Sequence, residues 1–245
     1  MEPEEKKKHL LKVIVGSKAH GLANKDSDTD YRGVFIVPTT RFLKVHQDKV
    51  KETSWIEGDD DNTSWEFGHF MNMATYCNPT ILETFLAPRV DLPEHKPKTG
   101  YLDAEPFYEE PYTIGDDLKA MFPYVWNSLR VKEAFIGYGI NQRKKFFDNK
   151  DNRAPKYAVA YLRVLYQAWE LLSTGTFSIS FAKTPIYKTL KKWKTGNFTP
   201  GEVIQKCWEQ ETMVLDAYNK NPNKKTDLDK VNEFVLKIRY KYWDW

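Results

Sequence analysis

Two acidic residues near the N-terminus, Asp28 and Asp30, are separated by one residue, and a Gly16-Ser17 pair precedes them. Side chains alternate in direction along a strand, so two carboxylates at this spacing would point to one face. Such a pair can hold a hard cation such as Mg²⁺, which prefers oxygen ligands. A Gly-Ser turn offers backbone N–H groups and a hydroxyl to a phosphate. This combination predicts phosphoryl or nucleotidyl transfer.

Two other interpretations fit a cluster of aspartates. Asp26, Asp28 and Asp30 can form a solvated acidic turn, or they can begin an EF-hand calcium loop. That loop needs Gly at its sixth position and Glu at its twelfth. Those positions hold Tyr31 and Val37, which disfavours the calcium loop. The Gly-Ser turn and the apolar run after the acids favour nucleotidyl transfer over the acidic turn.

The elements around these residues predict how they are positioned. Residues 9–15 have the apolar character of a buried strand, and residues 29–37 form a second strand that Pro38 stops. Between them, residues 16–24 are expected to form a short helix with Ser17 at its start. This order would bring the Gly-Ser turn next to the acidic pair.

A hairpin and two helices are predicted to follow. Residues 49–57 and 62–66 are rich in strand formers and flank the polar run 58–61, which is a hairpin signal. Residues 67–76 carry apolar side chains at helical spacing. The Asn78-Pro79 pair predicts a new helix, because Asn caps helices and Pro suits the first helical position.

The remainder of the chain predicts a change of architecture. Residues 87–115 contain five prolines and read as a long irregular connection, which is often functional. From Asp116 onward the pattern is helical, with segments at 116–149 (interrupted near Pro123), 155–173, about 199–219 and 228–242. We therefore expect an α+β fold, with a catalytic domain at 1–115, a helical domain at 116–245, and a nucleotide in the cleft between them.

Composition adds few constraints. The 245 residues are 41% hydrophobic and 29% charged, and the net charge of +3 neither demands nor excludes a nucleic-acid partner. The two cysteines, Cys77 and Cys207, have no metal-ligand or disulfide-framework spacing, which suits a reducing compartment. The apolar run 10–15 is too short for a signal peptide or a membrane span. We expect a soluble, cytoplasmic protein without a membrane partner, and its oligomeric state stays open.

Three blocks of sequence resemble a known family. Residues 16–30, from Gly-Ser to Asp-Thr-Asp, are similar to the signature of the DNA polymerase β superfamily of nucleotidyltransferases. Their particular form resembles a subfamily of bacteria and bacteriophages that is associated with RNA repair. Residues 65–67 with 78–83, and residues 156–163 with 170–175, match further blocks of that subfamily. The resemblance therefore spans positions 16 to 175, and it implies a polymerase β-like mixed sheet with helices.

The resemblance also implies an activity. It suggests a metal-dependent nucleotidyltransferase that uses two Mg²⁺ (or Mn²⁺) ions and transfers a nucleoside monophosphate from a nucleoside triphosphate, such as ATP, to a hydroxyl group, releasing pyrophosphate. An RNA end or a tRNA is the favoured acceptor. The alternatives are a catalytically silent nucleotide- or RNA-binding module, and a nucleotidyltransferase that acts on a protein or a small molecule.

The resemblance assigns the metal ligands. Asp28 and Asp30 would bridge the two ions, and a third carboxylate on a neighbouring strand would complete the set and help to deprotonate the acceptor. Asp61 is favoured for this role and Glu66 is the second choice. The competing interpretation of Asp61 is a solvated hairpin turn, because it ends a run of three aspartates.

Candidate nucleotide-binding residues are Gly16, Ser17, Lys18, Arg32 and Lys156. Ser17 would contact the β- or γ-phosphate, or act only as a helix N-cap. Arg32 would contact the ligand or pair with the aspartates. Lys156 would reach phosphates across the cleft, or be a solvated lysine in the first turn of its helix.

Other residues have weaker signals. His20 can be a catalytic base, but packing is favoured, and Glu83 is best explained by helix packing. Ala160 stands where the family pattern would have His. Residues 143–147 and 191–194 interleave cations with aromatic rings, a pattern suited to single-stranded nucleic acid, although a solvated helix face is the commoner explanation.

Overall fold

The first half of the protein is built on a mixed sheet. The computed structural model describes residues 7–43, 54–57, 62–90 and 112–244. In these ranges the strands are β1 (Lys8–Val15), β2 (Asp30–Ile36), β3 (Ser54–Glu57) and β4 (Asn62–Glu66), in the sheet order β1-β2-β4-β3. β2 is antiparallel to β1 and parallel to β4, and β3 is antiparallel to β4. The mixed sheet and the α+β class are thereby confirmed.

Helices make up most of the remaining described structure. Three lie in the first half: α1 (Gly16–Ala19), α2 (Phe67–Thr75) and α3 (Pro79–Leu86). The second half is helical and contains α4 (Tyr112–Ala120), α5 (Phe122–Val125), α6 (Ser128–Asp148), α7 (Ala154–Thr174), α8 (Tyr187–Lys194), α9 (Pro200–Lys220) and α10 (Leu228–Lys241). A 3₁₀ turn occupies Thr39–Phe42.

Local sequence features set several helix ends, and the start of α3 at Asn78-Pro79 is as predicted. The Asn78 side chain accepts hydrogen bonds from the backbone of Thr80 and Ile81, and thereby caps α3. Gly175 ends α7 in the left-handed conformation at φ +83°. The Thr199 hydroxyl accepts from the Glu202 backbone at the start of α9.

Other expectations need correction. α1 ends at Ala19 instead of residue 24, and its N-cap is Val15, so Ser17 does not cap it. α4 begins at Tyr112, inside the segment whose prolines predict an irregular connection. The sequence offers a helix face only for residues 191–194, whereas α8 begins at Tyr187. The hairpin turn at 58–61 lies outside the described residues.

The two halves share one hydrophobic core. It includes Leu10 and Val13 of β1, Phe85 of α3, and Leu162 and Leu165 of α7, all fully buried. The C-terminal helix α10 reaches back to the sheet region, as its following residues 242 and 243 accept hydrogen bonds from the backbone at 39 and 40. We keep the division between residues 115 and 116 as a proposal. In the described ranges, none of the helices is long and apolar enough to cross a membrane.

Candidate active site

A cavity of about 780 Å³ opens between the sheet half and the helical half. This volume lies in the range of small-molecule sites. One wall comes from the loop that connects β1 to β2, and the other from α6, α7 and the end of α8. The chemistry of this cavity follows from the side chains on each wall.

The sheet wall carries the acidic residues. Asp30 is the first residue of β2, and Asp28 lies exposed in the loop two residues earlier. The expectation that alternation along one strand points both carboxylates to one face is therefore wrong. Asp26, Asp28 and Asp30 nevertheless all line the cavity. The wall thus presents hard oxygen donors of the kind that divalent cations prefer.

Gly16 is required where the chain passes Asp30. The antiparallel pairing of Val15 with Asp30 brings this glycine against the aspartate side chain. A Cβ added to Gly16 would lie 1.9 Å from Asp30 Oδ2, and the glycine has φ +66°. Both the close approach and the left-handed backbone exclude a larger residue without rearrangement. The Gly-Ser turn therefore cradles the carboxylate.

Three of the five candidate nucleotide-binding residues lie on the cavity and two do not. Gly16, Ser17 and Lys156 line it. The Lys18 amine donates to the Thr29 hydroxyl, outside the lining. Arg32 also lies outside it, where its NH1 donates to the carbonyl of the preceding residue at 3.1 Å.

The helical wall carries the cations. Lys156 and Arg163 are seven residues apart on α7, which is about two helical turns, so they share a face. Arg153 precedes α7, and Lys194 ends α8 with its amine donating to the Leu22 carbonyl. All four line the cavity opposite the aspartates, and burial lowers the pKa of Lys194. Within the described residues Lys156 forms no salt bridge.

The structure places Glu66, the second choice for the third carboxylate, elsewhere. Its carboxylate caps α2 by accepting from the Gly68 backbone at 2.7 Å, and Arg239 NH2 of α10 lies 2.8 Å from Oε1. Glu66 pairs with Phe35, five residues beyond Asp30 along the sheet, which is roughly 16 Å at the rise of a strand. Glu66 is therefore remote from the acidic pair.

Asp61, the first choice, lies outside the described residues. β4 begins at the next residue, Asn62, whose Oδ1 accepts a hydrogen bond from the Tyr31 backbone at 3.1 Å. The start of β4 is therefore next to the start of β2, where Asp30 lies. Among the described residues, no group of three or more His, Cys, Asp or Glu side chains is arranged to hold a metal ion.

A buried ionic cluster joins the two walls. Glu83 of α3 contacts Nε2 of His20, the residue that follows α1. Arg163 NH1 of α7 lies 3.0 Å from Glu83 Oε1 and 3.0 Å from His20 Nε2. A buried carboxylate requires such partners, because its desolvation is costly. His20 and Arg163 line the cavity, so Glu83 holds both of them from behind.

The charges in this cluster are set by its environment. Burial, together with Arg163, lowers the pKa of His20 below its ordinary value, although Glu83 acts in the opposite direction. Burial alone would raise the pKa of the Glu83 carboxyl, but Arg163 and His20 outweigh it and lower the pKa to about 2. At neutral pH the cluster therefore contains a carboxylate, a guanidinium and a neutral imidazole.

Sequence reasoning missed several residues of the cavity. Arg163 had a usable signal, since it lies at i+7 from Lys156 on one helix face. Lys194 belongs to the basic run 191–194, but nothing in the sequence directs it to the cavity. Tyr138 and Gln142 of α6 also line the cavity, and only packing between α6 and α7 brings them there. Ala160, in place of the expected His, faces the same cavity.

Lowering the pH should destabilise the protein through His20. The unfolded histidine takes up a proton near its ordinary pKa of 6.5, whereas the folded one, with its lowered pKa, stays neutral. The free energy of unfolding should therefore fall below pH 6.5, by at most about 1.4 kcal/mol per pH unit. Glu83 contributes little here, because its stabilising effect is lost only below pH 4.5. Urea unfolding at pH 7.5 and 5.5 measures the difference.

The control for this prediction is another histidine. His20→Gln should reduce the difference in unfolding free energy between the two pH values, whereas His69→Gln, outside the cluster, should retain it. An undiminished difference in the His20→Gln variant would show that the pH dependence has another source.

Comparison with known proteins agrees with this geometry. A search of curated proteins found no match. The family model described as RlaP, RNA repair pathway DNA polymerase beta family, matches residues 1–192. The matched range contains the sheet, the Gly-Ser turn, the aspartates and the cations of α7. Because it covers well over half of the 245 residues, the chain belongs to the RNA repair pathway DNA polymerase beta family, as the three sequence blocks predicted.

Proposed function

We propose that the protein is a metal-dependent nucleotidyltransferase. It binds a nucleoside triphosphate in the cavity, transfers the nucleoside monophosphate to a hydroxyl group and releases pyrophosphate. The favoured acceptor is RNA, either a free end or a tRNA, in keeping with the family. ATP is the natural first substrate to assay.

One observation carries the proposal: the cavity has an acidic wall and a basic wall that face each other. Three aspartates lie in the loop before β2 and at its first residue, and four cations lie on and beside α7 and α8. A triphosphate with its divalent cation has the matching polarity, because metal ions go to carboxylates and phosphate oxygens go to lysine and arginine. A purely acidic or purely basic cavity would not fit both parts of that ligand.

The acidic wall fits a divalent metal. Asp28 and Asp30 provide the oxygen ligands, and Gly16 lets the chain pass so close to Asp30 Oδ2 that the carboxylate is held against the turn. Asp61 is proposed as the third ligand, since the strand that it precedes begins beside Tyr31. Two Mg²⁺ or Mn²⁺ ions at these residues would neutralise phosphate charge and lower the pKa of the acceptor hydroxyl.

The basic wall would orient the triphosphate. From the sheet side, the Ser17 hydroxyl donates a hydrogen bond to the β- or γ-phosphate. Lys156 and Arg163 contact phosphate oxygens from α7. Glu83 fixes the Arg163 guanidinium at 3.0 Å, so little side-chain entropy is lost when it binds a ligand. Lys18, Arg32 and Glu66 lie outside the cavity lining and have no part in this arrangement.

The transfer step is a displacement at phosphorus. The acceptor oxygen forms a bond to the α-phosphorus, and the bond from that phosphorus to the oxygen bridging to the β-phosphate breaks. Pyrophosphate leaves with the electron pair. The hydroxyl proton passes to a carboxylate, for which Asp61 is the proposed acceptor. The residues contribute mainly position and charge, which are the main sources of catalysis in phosphoryl transfer.

The function is tested by incubating the protein with each labelled triphosphate, Mg²⁺ and RNA, and following pyrophosphate release and label transfer. Transfer of label to RNA supports the proposal. Magnesium-dependent nucleotide binding with no pyrophosphate released to any acceptor, whether RNA, protein or small molecule, would instead indicate a silent binding module.

Asp28→Asn and Asp30→Asn should each lower turnover by about a thousandfold or more, because each removes metal-binding charge without changing shape. The matched control is Asp26→Asn, which removes the same charge from the same cavity wall and should keep most of the activity. Pyrophosphate release at saturating Mg²⁺ measures all three. Equal losses in all three variants would show that only the summed charge of the wall matters.

Gly16→Ala should lower turnover by about a hundredfold, because its Cβ would displace the Asp30 carboxylate by an ångström or more. Gly137→Ala is the control: it lies inside α6, where an added methyl group would have no atom within 4 Å, and it should be neutral or slightly stabilising. Turnover and thermal unfolding are measured for both. Normal turnover in Gly16→Ala would contradict the cradle.

Asp61→Asn should cut turnover severely while nucleotide binding survives, because Asp28 and Asp30 still hold the metal that arrives with the triphosphate. An interaction made mainly in the transition state lowers kcat with little effect on KM. Asp60→Asn is the matched control within the same acidic run. Glu66→Gln should lower stability but not turnover per folded molecule. A dead Asp60 variant beside an active Asp61 variant would reassign the third ligand.

A further inference from the structure

The segment from residue 176 to residue 198 has an unusual charge. It contains five lysines and neither an acidic residue nor an arginine. Since the whole chain has a net charge of +3, the rest of the protein carries −2. The positive charge of this protein is therefore concentrated in the segment that holds α8.

Most of these lysines face solvent. Lys183 and Lys188 are exposed and form no salt bridge within the described part of the chain, whereas Lys192 pairs with Glu202 at 2.9 Å. Lys191 is exposed and lies over the Tyr187 ring. Lys188 and Lys191 are three residues apart on α8 and so share a face. Two lysines that form no salt bridge among the described residues, Lys188 and Lys191, thus share one face of α8, and Lys183 shortly precedes the helix.

A second basic segment lies beside the first. Residues 143–147 lie in the last turns of α6. The ring centroid of Phe146 is 5.8 Å from that of Phe198, and the Phe198 centroid is 6.3 Å from that of Trp193 in α8. This chain of rings joins the two segments, and Phe146 is more than forty residues from Trp193 and Phe198 in sequence. Next to it, Phe147 has 60% of its surface exposed, although a large apolar ring is costly to leave in water.

Both segments lead to the cavity. Gln142 and Lys194 line it. Along the helix axes, Phe147 is about 7 Å beyond Gln142 and Lys188 is about 9 Å before Lys194. We define residues 143–147 and 183–194 as the basic–aromatic surface. A chain that left the cavity across this surface would meet cations and one exposed ring within a few nucleotides.

We propose that the basic–aromatic surface binds the single-stranded RNA whose hydroxyl is the acceptor. Lys183, Lys188 and Lys191 contact its phosphates, and Phe147 stacks on a base. Cations that follow a backbone together with an exposed ring are the common means of binding single strands. This inference rests on the proposed function, because the surface would deliver an RNA end to the nucleotide in the cavity.

The test uses the full chain and a fluorescein-labelled oligouridylate of twelve nucleotides, with fluorescence anisotropy as the readout. Lys188→Ala/Lys191→Ala should weaken binding at least about fivefold at low salt. It should also reduce the slope of log affinity against log salt by about 1.4, because each lysine at a single strand contributes about 0.7. The matched control is Lys225→Ala/Lys237→Ala, which removes two exposed lysines from the loop after α9 and from α10.

Variants at Phe147 distinguish the contribution of base stacking to RNA binding from that of charge. Phe147→Ala should weaken RNA binding about fivefold or more with the salt slope unchanged, and Phe147→Trp should restore it. The Kd of Mg-ATP, measured by titration, should be unchanged in all these variants. Equal RNA affinity in the wild type, the Lys188→Ala/Lys191→Ala variant and its control would overturn the inference.

Failure of the proposed nucleotidyltransferase function and failure of the RNA-binding inference give different results. If wild-type protein binds the oligouridylate through this surface but gives no Mg-dependent nucleotide binding, the surface stands and the nucleotidyl transfer fails. If nucleotide binding and pyrophosphate release are normal but RNA affinity does not depend on the surface, the inference about the RNA site is wrong and the proposed function is unaffected. In that case, label transfer to protein or to a small molecule identifies the acceptor class.

Discussion

A carboxylate buried in a protein destabilises the fold by several kcal/mol unless charged partners lie against it, and Glu83 is such a group. Its partners come from elements far apart in sequence: His20 from the β1–β2 connection and Arg163 from α7. Burying Glu83 with both partners therefore brings the β1–β2 connection and α7 together around its carboxylate. Because His20 and Arg163 also line the cavity, this cluster lies between the two cavity walls. The constraint that stabilises the interior also sets the distance between the two walls.

The same constraint explains how opposite charges coexist in the cavity. Arg163 is paired from behind with Glu83, so its charge is balanced within the cavity that the aspartates also line. His20 stays neutral, because burial and Arg163 lower its pKa. Lys194 is tied to the Leu22 carbonyl. Arg163 and Lys194 are thus held in place by contacts within the protein itself. Such preorganisation is what electrostatic catalysis requires.

The sequence predicted the parts of this protein that depend on local chemistry. β1 and β2 follow from their apolar runs, β4 from the hairpin signal, and the start of α3 from Asn78-Pro79. The end of α1 and the start of α8 were not predictable, because a four-residue helix has little periodicity and α8 buries only Leu190 and Trp193. The two cavity walls could not be matched from spacing alone. Tyr138 and Gln142 meet the acidic loop only through the packing of α6 on α7, which is a property of the folded chain.

The part of the protein beyond the family match also has a structural role in the site. Residues after 192 contribute Lys194 to the cavity and Arg239 to Glu66. Arg239 neutralises the carboxylate that caps α2 at the end of β4, and β4 is the strand that starts beside Asp30. The junction between β4 and α2 therefore depends on α10 for the charge balance of Glu66, which is itself remote from the acidic pair. A family-level site assembled from residues 1–192 would lack one cation of the basic wall and the residue that neutralises Glu66.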